Sequence, residues 1–443
     1  MRTPSSPPLV VSDVHVLDVV AGRSVESQDV HLREGRITEI VPAGARAIPA
    51  GAGHVGGRGG WLIPGLIDAH VHSLGVYAEA PGPLDLRWFG RQFRRNLEAF
   101  LRGGVTTVRD MGAPTRLALR YARASERLEL PAPRMVVSGA MICAARGYPE
   151  FIKPLPWPLS SWLGQIRHDL RSPAQIEPLV ASLARAGVGL IKTFWSSRRY
   201  DDAATRIPRL DPELLRGLAE RARAHGLPLA VHSTWREDLD DLLALPFDSL
   251  EHLPLEAVIE EPQIERIVQR ELPITTTLTT FGIVEHLDAI EALLRSPRAP
   301  FEPRPKALIV EALRKIREGR EASTVFGRDV THTGATHARI SLGKLYAAGA
   351  RIVLGTDAGG GITPCGQIAW EMEAMRGAGM SNADILRAAT IEAARLLRRP
   401  ELGRCEPGAA ADLVLLEADP LEDVSAVRRI RHVIKQGKLY SPA

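Results

Sequence analysis

The chain has 443 residues, 45% of them hydrophobic and 24% charged, which suits a large domain with a smaller companion and excludes a chain dominated by disorder. Its 56 basic and 52 acidic residues leave a net charge of +4 with no sustained run of one sign, so no nucleic-acid footprint is expected. Three widely spaced cysteines, Cys143, Cys365 and Cys405, exclude a disulfide framework and fit a reducing compartment.

The stretch from Met1 to Pro8 lacks the apolar core of a signal peptide, and no segment approaches the ~18 apolar residues of a membrane span. A cytoplasmic protein without a membrane partner is the expectation. Leu9 to Leu17, Asp29 to Leu32 and Arg36 to Val41 read as strands, the last two joined by a hairpin turn at Glu34-Gly35. From residue 61 onward, short apolar strands alternate with helical stretches. The expected strands are Trp61 to Ile67, Val105 to Val108, Arg134 to Ser138, Val188 to Lys192, Leu227 to Val231, Ser249 to Leu250, Pro273 to Thr277 and Arg351 to Leu354. Pro212 to His225 illustrates the intervening helices, with Leu214, Leu215, Leu218 and Ala222 at helical spacing and Gly226 as the stop.

Eight β-then-α units predict a (β/α)8 barrel. Strand character returns at Ala411 to Leu416, Ile430 to Gln436 and Lys438 to Tyr440. The expected architecture is therefore a barrel over residues 61–395, with a small composite β-sandwich built from residues 1–60 and 396–443. No internal repeat is evident.

His70-Val71-His72, after Pro64-Gly65-Leu66-Ile67-Asp68-Ala69, puts two imidazoles on one face of an extended strand, because residues two apart point the same way. Two neutral imidazoles are half of a divalent-metal site. Alone the pair is weak. Barrel chemistry sits at the C-terminal ends of strands, and there the chain also carries Lys192, His232, His252 and Asp357, each closing an apolar run.

These positions, with Gly355-Thr356-Asp357-Ala358-Gly359 and the tail Pro407-Gly408-Ala409-Ala410-Ala411-Asp412-Leu413-Val414-Leu415-Leu416, resemble the metal-dependent amidohydrolase superfamily, in its imidazolonepropionase-like and prolidase-like branch. The resemblance spans nearly the whole chain. It implies that His70, His72 and Asp357 hold one divalent ion and His232 and His252 another, with zinc the expected metal and manganese, iron or cobalt as alternatives. It further implies that Lys192, carboxylated by carbon dioxide, bridges the two. An ammonium has no lone pair, but burial beside cations lowers a lysine's pKa and frees the amine for that reaction. By the same resemblance, a metal-bridging hydroxide attacks the substrate and Asp357 serves as general acid and base.

A deaminase of this resemblance would carry a glutamate three residues after the strand-five histidine, where this chain has Trp235. Hydrolysis of a C–N amide bond in a dipeptide or N-acyl amino acid is therefore the expected reaction. A cyclic amide, carbamate, ester or lactone is the alternative substrate, and retention of all six ligand positions argues against a non-catalytic barrel. The family's habit suggests a homo-oligomer.

Two loops depart from the prolidase-like pattern: Ala144-Ala145-Arg146-Gly147-Tyr148-Pro149 and Phe194-Trp195-Ser196-Ser197-Arg198-Arg199-Tyr200. Tyr148, Phe194, Trp195 and Trp235 are candidates for an aromatic slot. Arg146, Arg198, Arg199 and Arg236 are candidates for forking onto a substrate carboxylate, although exposed loop arginines are common. His332 and His337 read as a loop and a helix start rather than ligands. Cys365 has nothing beside it to activate a thiolate.

Overall fold

The computed structural model describes residues 7–75, 86–200, 202–297, 299–318 and 333–440, together with their side chains except those of residues 86–89. Both ends of the chain contribute to one seven-stranded sheet. Its strands run in the order Lys438–Tyr440, Ile430–Lys435, Leu413–Leu416, Gly53–Pro64, Leu9–Asp18, Arg23–Arg33 and Arg36–Pro42. Leu413–Leu416 pairs antiparallel with Gly53–Pro64, placing Leu413 opposite Pro64 and tying the C-terminal segment to the N-terminal one. Alternate residues of these strands, among them Val11, Val30, Leu62, Leu413 and Ile434, bury a shared apolar core.

Eight parallel strands close the barrel: Leu66–Val71, Val105–Asp110, Arg134–Val137, Ile191–Phe194, Leu229–His232, Ser249–Glu251, Ile274–Thr275 and Ile352–Val353. They are called strands one to eight below. Closure between strands eight and one comes from Ala69 N donating to Leu354 O (3.0 Å), Asp357 N donating to His70 O (2.8 Å) and His72 N donating to Ala358 O (2.8 Å).

Two local expectations are corrected. Trp61 to Ile67 is not one barrel strand: Trp61–Pro64 completes the outer sheet, the ladder breaks at Gly65, and strand one begins at Leu66. A Cβ at Gly65 would lie 2.1 Å from Thr106 Oγ1, so only glycine lets the chain cross between the two units this close to strand two. The third strand is interrupted. After Val137 the chain resumes as Met141–Ala144, which pairs with Arg167–Leu170 and meets strand four at Ile142 and Thr193.

The helix expected over Pro212–His225 spans Pro212–Ala224, with Asp211 capping the Glu213 N–H (2.8 Å) and Pro212 in the first turn, where its missing N–H costs nothing. It buries Leu215, Leu218, Ala219 and Ala222 against the barrel, about 1.5–3 kcal/mol for each leucine. Cys143 and Cys365 are buried, Cys405 is partly so, and no disulfide joins them. Among the described residues, no helix is long and apolar enough to cross a membrane.

Candidate metal centre

Strand one ends at Val71, so His70 is its last residue but one and His72 lies just past it. The Nε2 atoms of His70 and His72 lie 3.6 and 3.3 Å from Asp357 Oδ1. One atom from each of the three side chains fits within 4.8 Å of the others, close enough for a single ion. Asp357 reaches this position with its backbone in the left-handed region (φ 55°). His252 (φ 75°) and Thr277 (φ 54°) share that strained conformation, which concentrates at functional sites.

The His252 ring lies between those of His70 and His232, at centroid distances of 4.5 and 4.4 Å. Strands four and five bring Lys192 and His232 to the same end of the barrel, with Phe194 opposite His232 in register. The structure thus gathers all six ligand positions expected from sequence.

Burial is the largest influence on their protonation. It drives His70, His232 and His252 well below the usual histidine range, with Lys192 next in effect on His70 and His232, and His232 next on His252. Neutral imidazoles are what a metal requires. Burial likewise pushes Lys192 down to about 8, against the opposing pull of Glu251 and Asp357. His70 Nε2, Asp357 Oδ1 and Lys192 Nζ are all buried without a hydrogen-bond partner among the described residues. Such orphaned atoms are costly in a folded chain unless something binds them, and imidazole nitrogen with carboxylate oxygen is a donor set that fits zinc or a neighbouring transition metal.

A supporting layer, which the sequence did not reveal, holds the donors. Glu251 accepts from His70 Nδ1 (2.7 Å), from Ser249 Oγ (2.6 Å) and, on both oxygens, from Arg109 (2.7 and 2.8 Å). Burial raises its pKa, but Arg109 and Lys192 outweigh that and hold it below the usual carboxylate range. A carboxylate can only accept, so His70 carries its hydrogen on Nδ1 and presents the Nε2 lone pair to the site. His252 Nδ1 meets Thr277 Oγ1 (2.7 Å), and His232 Nε2 meets the Tyr200 hydroxyl (2.9 Å). Glu371 holds the residues on either side of Thr277, accepting from Thr276 Oγ1, Leu278 N, Thr279 N and Thr279 Oγ1 at 2.6–2.8 Å.

A cleft of about 60 Å3 opens over His72, Lys192, His232 and Asp357. Its walls are Met141, Tyr148, Pro149, Phe151, Ile152 and Phe194, and Tyr148 stacks on the His232 ring at 4.8 Å. Tyr148 and Phe194 thus stand where an aromatic slot was expected. Trp195 and Trp235 do not line it: they are buried, and their indole N–H groups are spent on Asp238 O (3.2 Å) and Ser196 Oγ (3.0 Å). Their apolar bulk packs the loops from below.

The arginines divide similarly. Arg198 forks onto Glu237 (2.6 and 2.9 Å), Arg199 lies 3.6 Å from Glu150, and Arg236 is paired with Glu260, so three of the four expected carboxylate-binding arginines already face acids. Arg146 is exposed on the loop that supplies Tyr148. His337 Nδ1 meets Leu255 O (2.8 Å), away from the ligand set, and His332 lies outside the described residues.

Comparison with known proteins agrees with this geometry. The model of the amidohydrolase family matches residues 61–440. An uncharacterized protein of Mycobacterium tuberculosis is 26% identical over 414 residues, covering 92% of this chain and 91% of its own. Among solved structures, a Xaa-Pro dipeptidase with methionine bound in its active site superposes with a TM-score of 0.77 at 20% identity, covering 98% of this chain and 100% of its own. A prolidase complexed with N-methylphosphonate-L-proline gives 0.75 at 22% identity, with 98% and 99% covered. At such identities the structural likeness speaks for the fold.

Proposed function

The chain belongs to the amidohydrolase family, and on that premise we propose that it hydrolyses the C–N amide bond of a small N-acyl amino acid or dipeptide-like substrate at a two-metal centre. One observation carries the reading: three unpartnered buried donor atoms, His70 Nε2, Asp357 Oδ1 and Lys192 Nζ, stand among histidines that burial keeps neutral. His70, His72 and Asp357 would hold one ion and His232 and His252 the second. Lys192 would join them after its amine nitrogen bonds to carbon dioxide and releases a proton, giving an anionic carbamate. Zinc is favoured, with manganese, iron or cobalt able to use the same donors. When bound, divalent ions supply Lewis acidity, polarising a carbonyl and acidifying water.

The chain's own groups account for the rest. Asp357 takes the proton from the attacking water as the carbon–oxygen bond forms and returns it to the amine nitrogen as the carbon–nitrogen bond breaks. Tyr148, Phe151 and Phe194 form an apolar wall suited to an aromatic or aliphatic side chain on the substrate. Arg146 is the loop arginine left for a substrate carboxylate. Trp235 stands where a deaminase-like site would need a carboxylate shuttle, which favours hydrolysis of an amide over deamination.

A panel of N-acyl amino acids and dipeptides, assayed for amine release with and without a chelator, tests the proposal. Turnover that is lost on chelation, restored by zinc or manganese and reduced about 10²–10⁴-fold in Asp357→Asn is expected. Turnover indifferent to chelation, or unchanged in that variant, would overturn it.

A further inference from the structure

A second cavity, of about 320 Å3, lies at the opposite end of the barrel, where Pro228, Asp248, Pro273 and Arg351 lead into strands five to eight. Four guanidinium groups line it, those of Arg270, Arg351, Arg395 and Arg398, against the carboxylates of Asp248 and Glu271. Counting Glu392, the partner of Arg351 and Arg395, the cluster carries one positive charge in excess.

The pairing of these arginines differs from that elsewhere in the molecule. Arg198 and Arg428, for example, fork onto single carboxylates at 2.6–2.9 Å. In the cavity, the Arg398–Asp248 and Arg351–Glu392 separations are 3.8 Å, beyond hydrogen-bond reach, and each of these arginines spends a single N–H on a backbone carbonyl, Arg398 on Gly226 O (3.2 Å) and Arg351 on Glu271 O (3.3 Å). Arg270 donates to backbone carbonyls, Leu243 O (2.8 Å) and Phe247 O (3.3 Å), with its guanidinium over the Phe247 ring. Only Arg395 is tightly paired, to Glu392. Guanidinium donors are thus left over, and they converge on a concave space.

We propose that this cavity binds a small, multiply charged oxyanion, a phosphoryl group either as inorganic phosphate or as a phosphate monoester. Planar guanidiniums match phosphate oxygens in bidentate fashion, and several around one concavity offset the cost of stripping water from the anion. A single concavity of this size suits a small ligand better than a polyanionic chain, which would need an extended basic face. Because the cavity touches the starts of strands five, six and eight, whose far ends lead to His232, His252 and Asp357, occupancy would also brace the strands that carry the metal ligands.

Titration calorimetry at low ionic strength, with inorganic phosphate and with glycerol phosphate as separate probes, tests this on the metal-loaded protein. Saturable binding of one anion per chain is expected, at least about tenfold weaker in Arg351→Gln/Arg395→Gln and weakened by added salt. Stronger binding of the monoester would identify a metabolite's phosphate as the preferred source, and equal binding the free ion. Both altered arginines are partly exposed and away from the metal donors, so folding and basal turnover should persist. Should the double variant fail to fold, Arg398→Gln alone must weaken binding. Phosphate that binds unchanged in these variants is held elsewhere, the metal centre included, and that result or the absence of saturable binding overturns the proposal.

Discussion

Glu251 accepts a 2.7 Å hydrogen bond from His70 Nδ1 across 181 residues of sequence, and through it determines which nitrogen of His70 faces Asp357. The same carboxylate neutralises Arg109 in the barrel interior, so one side chain fixes a ligand's tautomer and compensates a buried cation. Glu251→Gln should lower metal affinity roughly 10–100-fold. It should also cost about 3–5 kcal/mol of stability, because Arg109 is left without its counter-charge. Metal retention after dialysis and a denaturant melt measure the two effects, and a variant unchanged in both would remove Glu251 from the site's support.

Glu371 acts one step further out. Its four accepted hydrogen bonds hold the loop in which Thr277 adopts a left-handed backbone and meets His252. In Glu371→Gln the amide group must face at least one of these donors, a loss of about 1–3 kcal/mol. Weaker metal retention should accompany the stability loss. Lost stability with fully retained metal would make Glu371 a structural residue only.

Lys192→Ala should bind less metal and lose turnover, with partial rescue by acetate or propionate, whose carboxylate can occupy the bridging position. A carbon-13 carbamate signal, present in wild type after incubation with labelled bicarbonate and absent from the variant, is the direct spectroscopic check. Unchanged metal content and rate would sink the carbamate.

Lys435 provides a pH test far from the metal. It is buried, donates to Ser125 O (2.7 Å) and Ser125 Oγ (2.8 Å), and burial pushes its pKa from 10.5 down to about 8. Between about pH 8 and 10.5 the unfolded chain holds a proton that the native chain has released, so stability rises with pH across that window, by at most about 3 kcal/mol. Unfolding free energies of wild type and Lys435→Met, compared between pH 7 and 10, should show wild type gaining on the variant as pH rises. A constant difference would contradict the shift.

The candidate donor positions were legible because each closes an apolar run at a strand end, a local pattern that needs no knowledge of distant contacts. The support layer was not. Arg109 and Glu251 are 142 residues apart, and their ion pair exists only once the barrel has closed. The expected starts of strands four and five ran early, at Val188 and Leu227 instead of Ile191 and Leu229. Both residues are buried just after the glycines that end the preceding helices, so they read as strand before the ladder begins. The break at Gly65 was hidden for a related reason. Leu62, Ile63, Leu66 and Ile67 are one apolar run in sequence, yet they serve two sheets. Trp195 and Trp235 show the limit of reading pocket walls from residue type, since an aromatic after a barrel strand can as readily fill the space beneath a loop.

Metal content per chain tests metal-dependent amide hydrolysis most directly. Protein purified without chelators, and analysed by plasma mass spectrometry beside its turnover of N-acyl amino acids, should contain about two divalent ions per chain, falling in Lys192→Ala. About one ion would contradict the two-metal centre. No bound metal, with no gain in metal or activity on adding zinc or manganese, would contradict the account as a whole.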